Sequence, residues 1–213
     1  LLPLATQKKA EERLARIQRK LETGEPLTMG SFCHGGGVLS LALHEGLEEA
    51  GVHADLAFAN DIDEDVLFHA AVNNPVWSER TKAIAAPMQE IAADDWLLKR
   101  IGTVDAIEAG IPCVAASLAG RAKKGLNMAE ADPNAGHLVV PFLAIIERLQ
   151  PSIVLLENVP PWQLTASAHL FRHTLRDWGY TVTETILEAR EFGAIEDRKR
   201  LVMVATTAGL HFD

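Results

Sequence analysis

Short apolar segments alternate with helical patterns along most of this chain, and no other feature of the sequence constrains the fold as much. Residues 152–156 form a continuous run of the kind found in a parallel strand that is buried on both faces. The repeated alternation is typical of an α/β protein with a doubly wound, mostly parallel sheet. The predicted strands are 27–33, 55–60, 104–109, 152–156, 180–187 and 201–205, and helices are predicted around 39–47, 66–72, 137–149 and 171–178.

The N-terminal residues differ in composition from the rest of the chain. Lys, Arg, Glu and Ala dominate residues 7–22, and this segment carries one apolar stripe at helical spacing. The pattern predicts an amphipathic helix that is ended by Gly24 and Pro26, and the stripe either packs on the main domain or binds a partner. We therefore divide the chain into a helical segment, residues 1–26, and a main domain, residues 27–213. The stripe consists of Ala10, Leu14, Ile17 and Leu21.

Charge and hydropathy exclude several classes of protein. The 213 residues include 29 acidic and 20 basic side chains, which gives a formal net charge of −9. This charge argues against a protein that coats nucleic acid by bulk attraction, but it leaves room for a local basic cleft. No apolar run approaches the ~20 residues of a membrane helix, and no signal-peptide pattern is present, so we expect a cytoplasmic protein. Because the chain begins at Leu1 rather than Met, we also expect it to be part of something longer.

The cysteines and histidines give no support for a structural metal or a disulfide. Cys33 and Cys113 lie in unlike contexts and form no CxxC motif. His169 and His173 lie four residues apart on a predicted helix, but no third ligand accompanies them. No metal site is therefore predicted.

Two features at the carboxyl ends of the first predicted strands indicate a nucleotide-type cofactor. A glycine-rich turn, residues 32–37, follows the first strand, and glycine lets the backbone approach a ligand closely. Asp61 ends the second strand, where an acid can bind ribose hydroxyls, although Asp61 or Asp63 could also cap the next helix. The GxGxxG spacing is missing and no basic residue is placed for a pyrophosphate. The pair therefore favours S-adenosylmethionine over NAD.

Three further strand ends carry reactive side chains. Cys113 follows Pro112 at a predicted strand end, where a thiol would face a cleft, but a lone cysteine is also a common buried hydrophobe. Glu157 ends a buried strand and is either a general acid or a carboxylate that accepts loop amides. Arg198 and Arg200 lie two apart before the last strand, so they point to the same side. They either bind a phosphate or a carbonyl oxygen, or belong to a solvated charge run.

Taken in order, five segments resemble the motifs of the DNA cytosine-5 methyltransferases. The turn at 32–37 resembles the family's cofactor loop, and 58–63 (Phe-Ala-Asn-Asp-Ile-Asp) is close to its second motif. The segment 110–117 resembles the loop that carries the Pro-Cys nucleophile. Glu-Asn-Val at 157–159 is identical to a family motif, and 192–200 resembles the last core motif. The resemblance covers roughly residues 28–207 and implies a Rossmann-like, S-adenosylmethionine-dependent methyltransferase fold.

The resemblance also implies a role for each matching residue. Cys113 would add to carbon 6 of a cytosine flipped out of DNA, Glu157 would protonate or hydrogen-bond ring nitrogen 3, and Arg200 would contact the base's carbonyl oxygen. The cofactor-binding residues would be Phe32, Gly35, Gly36, Gly37, Asp61, Ile62, Glu90 and Pro112. The DNA-binding residues would be Ser117, Arg121, Asn158 and Arg198.

The chain departs from the family pattern in two ways. His34 stands where the family usually has its first glycine, while Val114, Ala116 and Glu196 replace other usual residues. No target-recognition domain or final Asn-rich motif follows Ala205. We therefore expect the catalytic core of a restriction–modification enzyme of prokaryotic, phage or plasmid origin. On its own this core should bind DNA weakly, with target recognition supplied by a partner chain or a further C-terminal segment. The alternatives are a catalytically degenerate module that binds cofactor or a partner, and a tRNA cytosine-5 methyltransferase.

Overall fold

A computed structural model describes residues 3–112 and 138–210, and within them the chain forms one mixed sheet flanked by helices. The strands are β1 (Leu27–Phe32), β2 (Ala54–Asp61), β3 (Lys82–Ala85), β4 (Ala106–Gly110), β5 (Ile153–Asn158), β6 (Tyr180–Glu188) and β7 (Lys199–Thr207). The helices are α1 (Leu4–Thr23), α2 (Val38–Glu49), α3 (Glu64–Asn73), α4 (Met88–Ala93), α5 (Asp95–Ile101), α6 (Val139–Leu149) and α7 (Ala166–Asp177). Short 3₁₀ turns occupy Pro160–Leu164 and Ala189–Phe192.

The sheet has the strand order β3-β2-β1-β4-β5-β7-β6. Strands β1 to β5 run parallel to one another, whereas β7 pairs antiparallel with both β5 and β6. The prediction of a doubly wound, mostly parallel sheet is therefore confirmed. The winding direction reverses between β1 and β4, which makes the crevice outside their carboxyl ends the expected ligand site.

Two apolar clusters cover opposite faces of the sheet, as the alternation of side chains along each strand requires. On one face α4 to α7 pack against the sheet around Phe32, Phe142 and Phe171, and the last two rings stack at 6.0 Å. On the other face α1, α2 and α3 contribute Ile17, Leu47 and Leu67 to a smaller cluster. Each fully buried large side chain contributes about 1.5–3 kcal/mol, so these clusters supply most of the stability of the sheet.

Helix α1 lies across the amino edge of the parallel strands. It ends at Gly24, whose φ of 68° is the left-handed conformation that glycine adopts easily. The predicted stripe is only partly right, since Leu21 is 41% exposed while Arg13 is 1% exposed. The helix has turned its basic residues inward because main-chain carbonyls at the strand starts, such as those of Pro26 and Gln150, need donors.

Several elements differ from the sequence-based prediction. Strand β3 and helices α4 and α5 were not predicted. Strand β3 is a short, mostly exposed edge strand, so it has no apolar alternation that would indicate a strand. Helix α6 contains Pro141 as its third residue, and the first turn tolerates proline because its N–H groups have no partner within the helix.

No helix in the described parts of the chain is both long and apolar enough to cross a membrane.

Candidate active site

The turn after β1 reaches the crevice in a conformation that depends on glycine. Gly35 and Gly37 have φ angles of 54° and 73°, and Cys33 also lies in the left-handed region at 51°. A Cβ on Gly37 would lie 2.3 Å from the Asn74 Nδ2 atom, so no larger residue fits. A Cβ on Gly36 would meet nothing within 4 Å. The turn is thus fixed on one side and open on the other.

Asp61 ties the end of β2 to this turn. Its Oδ2 atom accepts a hydrogen bond from the Gly35 amide at 2.8 Å. Asp63, and not Asp61, caps α3, since its side chain accepts from the amides of Asp65 and Val66. The alternative that Asp61 is a helix cap is therefore wrong, and its carboxylate lies at the crevice beside the glycine turn.

Neighbouring residues at this edge fit the adenosine part of a cofactor. Ile62 follows Asp61 and is 73% exposed, which leaves an apolar surface for a flat ring. Glu90 is exposed in the first turn of α4, the helix that follows β3. This edge therefore combines a glycine turn, a carboxylate and an exposed apolar side chain. These residues fit S-adenosylmethionine.

Phe32 differs from the other predicted cofactor residues. Its side chain is fully buried in the core, with ring centroids 5.3 Å from Phe58 and 5.9 Å from Phe142. The ring therefore has no surface for a ligand, and Phe32 supports the turn from below. Asn60 has a similar structural position, because its buried amide donates to the carbonyls of Ile84 and Ala86 and fastens β2 to the end of β3.

Glu157 and Arg200 form an ion pair at the carboxyl end of β5. The Nε atom of Arg200 lies 2.5 Å from the Oε1 atom of Glu157, and both side chains keep about 30% of their surface exposed. A Cβ placed on Gly110 would lie 3.9 Å from the Glu157 Oε2 atom and 3.9 Å from the carbonyl oxygen of Cys33. The ends of β1, β4 and β5 thus converge, and the sequence prediction placed Glu157 and Arg200 at the right strand ends.

Asn158 holds the segment that leads to Pro112 and Cys113. Its side chain is 1% exposed, and its amide donates to the carbonyl of Ile111 at 3.1 Å. This geometry favours a positioning role for Asn158 over the direct DNA contact implied by the sequence. Pro112 is exposed at the crevice. Cys113, Ser117 and Arg121 lie outside the described residues.

Arg198 lies in the exposed connection between β6 and β7. Its carbonyl accepts a hydrogen bond from the amide of Ala189, so the main chain at this point is fixed. The side chain is exposed, near the end of β7 that carries Arg200.

Sequence reasoning missed a buried polar cluster beneath the glycine turn, which we call the His34 network: Ser31, His34, Ser40, Trp77 and Glu108. Glu108 lies on β4 and is 2% exposed, and burial raises its pKa to about 7. Burial also lowers the pKa of His34 to about 4. The one available signal was Glu108 itself, a carboxylate in an otherwise apolar strand.

The fold and the site together define the class of this protein. The strand order, the glycine turn after β1 and the acid after β2 are those of a Rossmann-like methyltransferase that uses S-adenosylmethionine. Residues 28–213 match the family model for C-5 cytosine-specific DNA methylases. The chain belongs to this family.

Individual relatives cover most of the chain but are themselves longer. It is 26% identical over 194 residues to the type II methyltransferase M1.BsuMI of Bacillus subtilis, which covers 86% of this chain and 44% of that protein. It is also 26% identical to M.BspRI of Lysinibacillus sphaericus, over 92% of this chain and 48% of that protein. The chain thus spans about half the length of these curated relatives. Among solved structures, the S. pombe Dnmt2 methyltransferase superposes with a TM-score of 0.64 at 18% identity, covering 87% of this chain and 50% of that one.

Proposed function

We propose that this chain is the catalytic core of a DNA cytosine-5 methyltransferase, which transfers a methyl group from S-adenosylmethionine to carbon 5 of cytosine. One observation carries the proposal: the Glu157–Arg200 pair lies beside Gly110, where the ends of β4 and β5 meet. Gly110 begins the segment that leads to Cys113. The acid and the guanidinium lie at this edge, and Cys113 follows Gly110 by three residues in the sequence. An acid, a guanidinium and a thiol are the groups that activation of a cytosine ring requires.

The chemistry assigns one task to each of these groups. Carbon 5 of cytosine is a poor nucleophile, so the thiolate of Cys113 adds to carbon 6 and its electron pair makes carbon 5 electron-rich. Glu157 protonates or hydrogen-bonds ring nitrogen 3, which removes electron density from the ring and favours that addition. Arg200, which Glu157 orients, donates to the carbonyl oxygen of the base. Carbon 5 then bonds to the methyl group as S-adenosylhomocysteine leaves. Loss of the carbon 5 proton to water breaks the carbon 6–sulfur bond, which expels the thiolate and restores the aromatic ring.

The cofactor occupies the other half of the crevice in this proposal. S-adenosylmethionine supplies an electrophilic methyl group when it is bound. Gly35, Gly36 and Gly37 line its path with main chain, Asp61 accepts hydrogen bonds from ribose hydroxyls, and Ile62 packs on the adenine. Glu90 accepts from the adenine amine. Pro112 lies between the two halves of the crevice.

DNA binding requires both a pocket for the flipped base and contacts to the backbone. We assign Arg198, Arg121 and Ser117 to the DNA contacts, and Asn158 to positioning of the segment that leads to Pro112. The names of the relatives place them among type II methyltransferases, and a restriction–modification setting in the cytoplasm of a bacterium is proposed for this chain too. Target recognition is assigned to a partner chain or to a segment beyond this sequence.

Covalent trapping on DNA tests the proposal. The protein that carries this chain is incubated with S-adenosylmethionine and DNA containing 5-fluorocytosine, which has no proton to lose from carbon 5. We expect an adduct that peptide mapping places on Cys113, and none in Cys113→Ser. Ordinary DNA should gain label on carbon 5 of cytosine. An adduct on Cys33, cofactor binding without any transfer, or transfer to tRNA in preference to DNA would contradict the proposal.

A further inference from the structure

The His34 network lies directly beneath the turn that is proposed to hold the cofactor. The indole Nε1 of Trp77 lies 3.0 Å from Nε2 of His34, and Nδ1 of His34 lies 2.7 Å from the Ser31 hydroxyl. The Ser40 hydroxyl lies 3.2 Å from the same Nδ1 atom and donates to Glu108. All of these partners except Trp77, which is half-buried, are shielded from solvent. The network therefore connects β1, α2, β4 and the segment after α3.

The partners determine which nitrogen of His34 carries the proton. Trp77 can only donate, so Nε2 of His34 must accept and cannot be protonated. The neutral ring then carries its proton on Nδ1, which donates to the Ser31 hydroxyl. A charged ring would have donors on both nitrogens and would lose the Trp77 bond. Geometry thus selects a single neutral tautomer.

The imidazole ring also determines the shape of the turn. The Nε2 atom of His34 lies 2.5 Å from the point that a Cβ on Gly37 would occupy, so ring and turn are in contact. The Gly37 amide donates to the His34 carbonyl at 2.8 Å. From the other side, the Asn74 amide donates to the carbonyls of Gly36 and Gly37 at 3.2 and 2.8 Å. His34 and Asn74 thus hold the turn at Gly36 and Gly37 from the inner side, whereas a Cβ on Gly35 or Gly36 would meet nothing within 4 Å.

We propose that His34, in its neutral Nδ1-protonated form, is a positioning residue for S-adenosylmethionine. It holds the Gly35–Gly37 turn in the shape that receives the cofactor, at a position where the family usually has glycine. His34 is buried and has its own partners on both nitrogens, so it acts through the turn rather than by touching the cofactor. The inference rests on the proposed function, since the cofactor site is part of it.

The charged and titratable groups around His34 are compatible with a neutral ring. Desolvation lowers the pKa of His34 to about 4, against an opposing effect of Asp61. Glu108 faces the network from β4 with a pKa raised to about 7, and Cys33 lies in the turn with a pKa raised to about 12. Around neutral pH the ring is therefore uncharged, and its tautomer depends on the Trp77 bond.

Nuclear magnetic resonance and calorimetry on the 213-residue chain test this inference. The ¹⁵N signals of the His34 ring are identified because they disappear in His34→Asn. In ¹⁵N-labelled wild-type protein at pH 7, we expect these signals to show the proton on Nδ1. Trp77→Phe removes the indole N–H and keeps most of the ring. Loss of one hydrogen bond of about 1 kcal/mol should weaken S-adenosylmethionine binding about fivefold, and His34→Gly should weaken it further.

Trp96→Phe is the matched control, because Trp96 is exposed on α5 and stacks with Arg100, away from the network. The Trp96→Phe protein should bind S-adenosylmethionine with the affinity of the wild type. Nε2 protonation of His34 at pH 7, or an unchanged affinity in a folded Trp77→Phe protein, overturns the inference and leaves the proposed function standing. If the wild-type chain does not bind S-adenosylmethionine, the proposed cofactor site fails and the inference fails with it.

Discussion

At the scale of single residues, Glu157 has its orientation fixed by Arg200 and remains accessible from the crevice. The proposed role of Glu157 as a catalytic acid requires both a defined position and room for a base. Glu157→Gln keeps the shape of the side chain and removes the acid, so we expect the rate of methyl transfer to fall about 10²–10³-fold in steady-state assays. The unfolding temperature should change little, because both side chains are partly exposed.

Glu188→Gln provides the control for that prediction. Glu188 pairs with Lys199 at 3.3 Å, and its side chain is 28% exposed, as is that of Glu157. The pair lies where β6 ends and β7 begins, outside the proposed base-binding groups. Full activity is expected in Glu188→Gln. An equal loss of activity in both variants would mean that the ion pairs at this edge act only by stabilising the fold, and that Glu157 has no separate catalytic role.

Glu108 makes stability depend on pH. Its pKa is about 7 in the folded chain, above that of an exposed glutamate, so the folded state binds the proton more tightly than the unfolded state. Its contribution to stability is full below the unfolded pKa and is lost as pH rises through about 7. Relative to the wild type, Glu108→Gln should therefore gain about 2 kcal/mol in free energy of unfolding between pH 5 and pH 8, measured by urea denaturation. A constant difference across this range would contradict the assignment.

Individual site residues differ in how far the sequence could predict them. Glu157 and Arg200 each lie beside a recognisable apolar strand, so the strand pattern locates them at one edge of the sheet. His34 and Trp77 lie 43 residues apart and belong to no shared pattern. Their contact forms where the segment after α3 meets the turn after β1. Glu108 joins them because β4 pairs with β1, which places Glu108 in register with Ser31 beneath the turn. Pairings of this kind follow from topology and leave no periodic signal.

At the scale of elements, α1 is fastened to the domain through Asp105. This carboxylate is buried and accepts from Lys20 at 2.7 Å, Arg16 at 3.1 Å and the Thr28 amide at 2.8 Å. Burial alone would raise the pKa of Asp105, but the bonds from Lys20 and Thr28 outweigh it and lower the pKa. The folded chain therefore gains stability from Asp105 above its unfolded pKa and loses it as pH falls.

Asp105→Asn should destabilise the chain by about 3–5 kcal/mol, because Lys20 would be left buried without its counter-charge. The free energy of unfolding from chemical denaturation measures this loss. Glu12→Gln on the exposed side of α1 is the control, since its pair with Lys8 at 3.8 Å is mostly exposed and should be worth less than 1 kcal/mol. Equal effects of the two changes would show that α1 does not depend on Asp105.

The elements also show where periodicity succeeds and where it fails. Helix α6 and strand β5 are almost wholly apolar on their buried sides, and both were predicted close to their observed bounds. Strand β3 has four residues, three of them exposed, and joins the sheet through its backbone bonds to β2 and the Asn60 side-chain amide, so no apolar pattern marks it. For α1 the helix was predicted correctly but its buried face was not. Arg13 and Lys20 are buried because they donate to main-chain carbonyls, and hydropathy does not report such hydrogen bonds.

At the scale of the whole molecule, the net charge of −9 opposes attraction to DNA. The proposed contacts are local, so few phosphates can be neutralised. We expect the 213-residue chain to bind duplex DNA weakly and without sequence preference, with a shallow dependence of log K on log salt. Fluorescence anisotropy with labelled duplexes between 50 and about 200 mM salt measures this slope. Tight, sequence-specific binding would show that target recognition lies within this chain.

The placement of α1 also determines how a module could be attached to this protein. The amino edge, where α1 lies, and the crevice are separated by the length of a strand such as β5, whose six residues span about 20 Å. A flexible linker of about 16 residues has a root-mean-square reach of only about 22 Å, and its path must go around the sheet. A DNA-reading domain fused ahead of α1 through a short linker would therefore lie at the amino edge of the sheet, on the side opposite the crevice that is proposed to bind DNA.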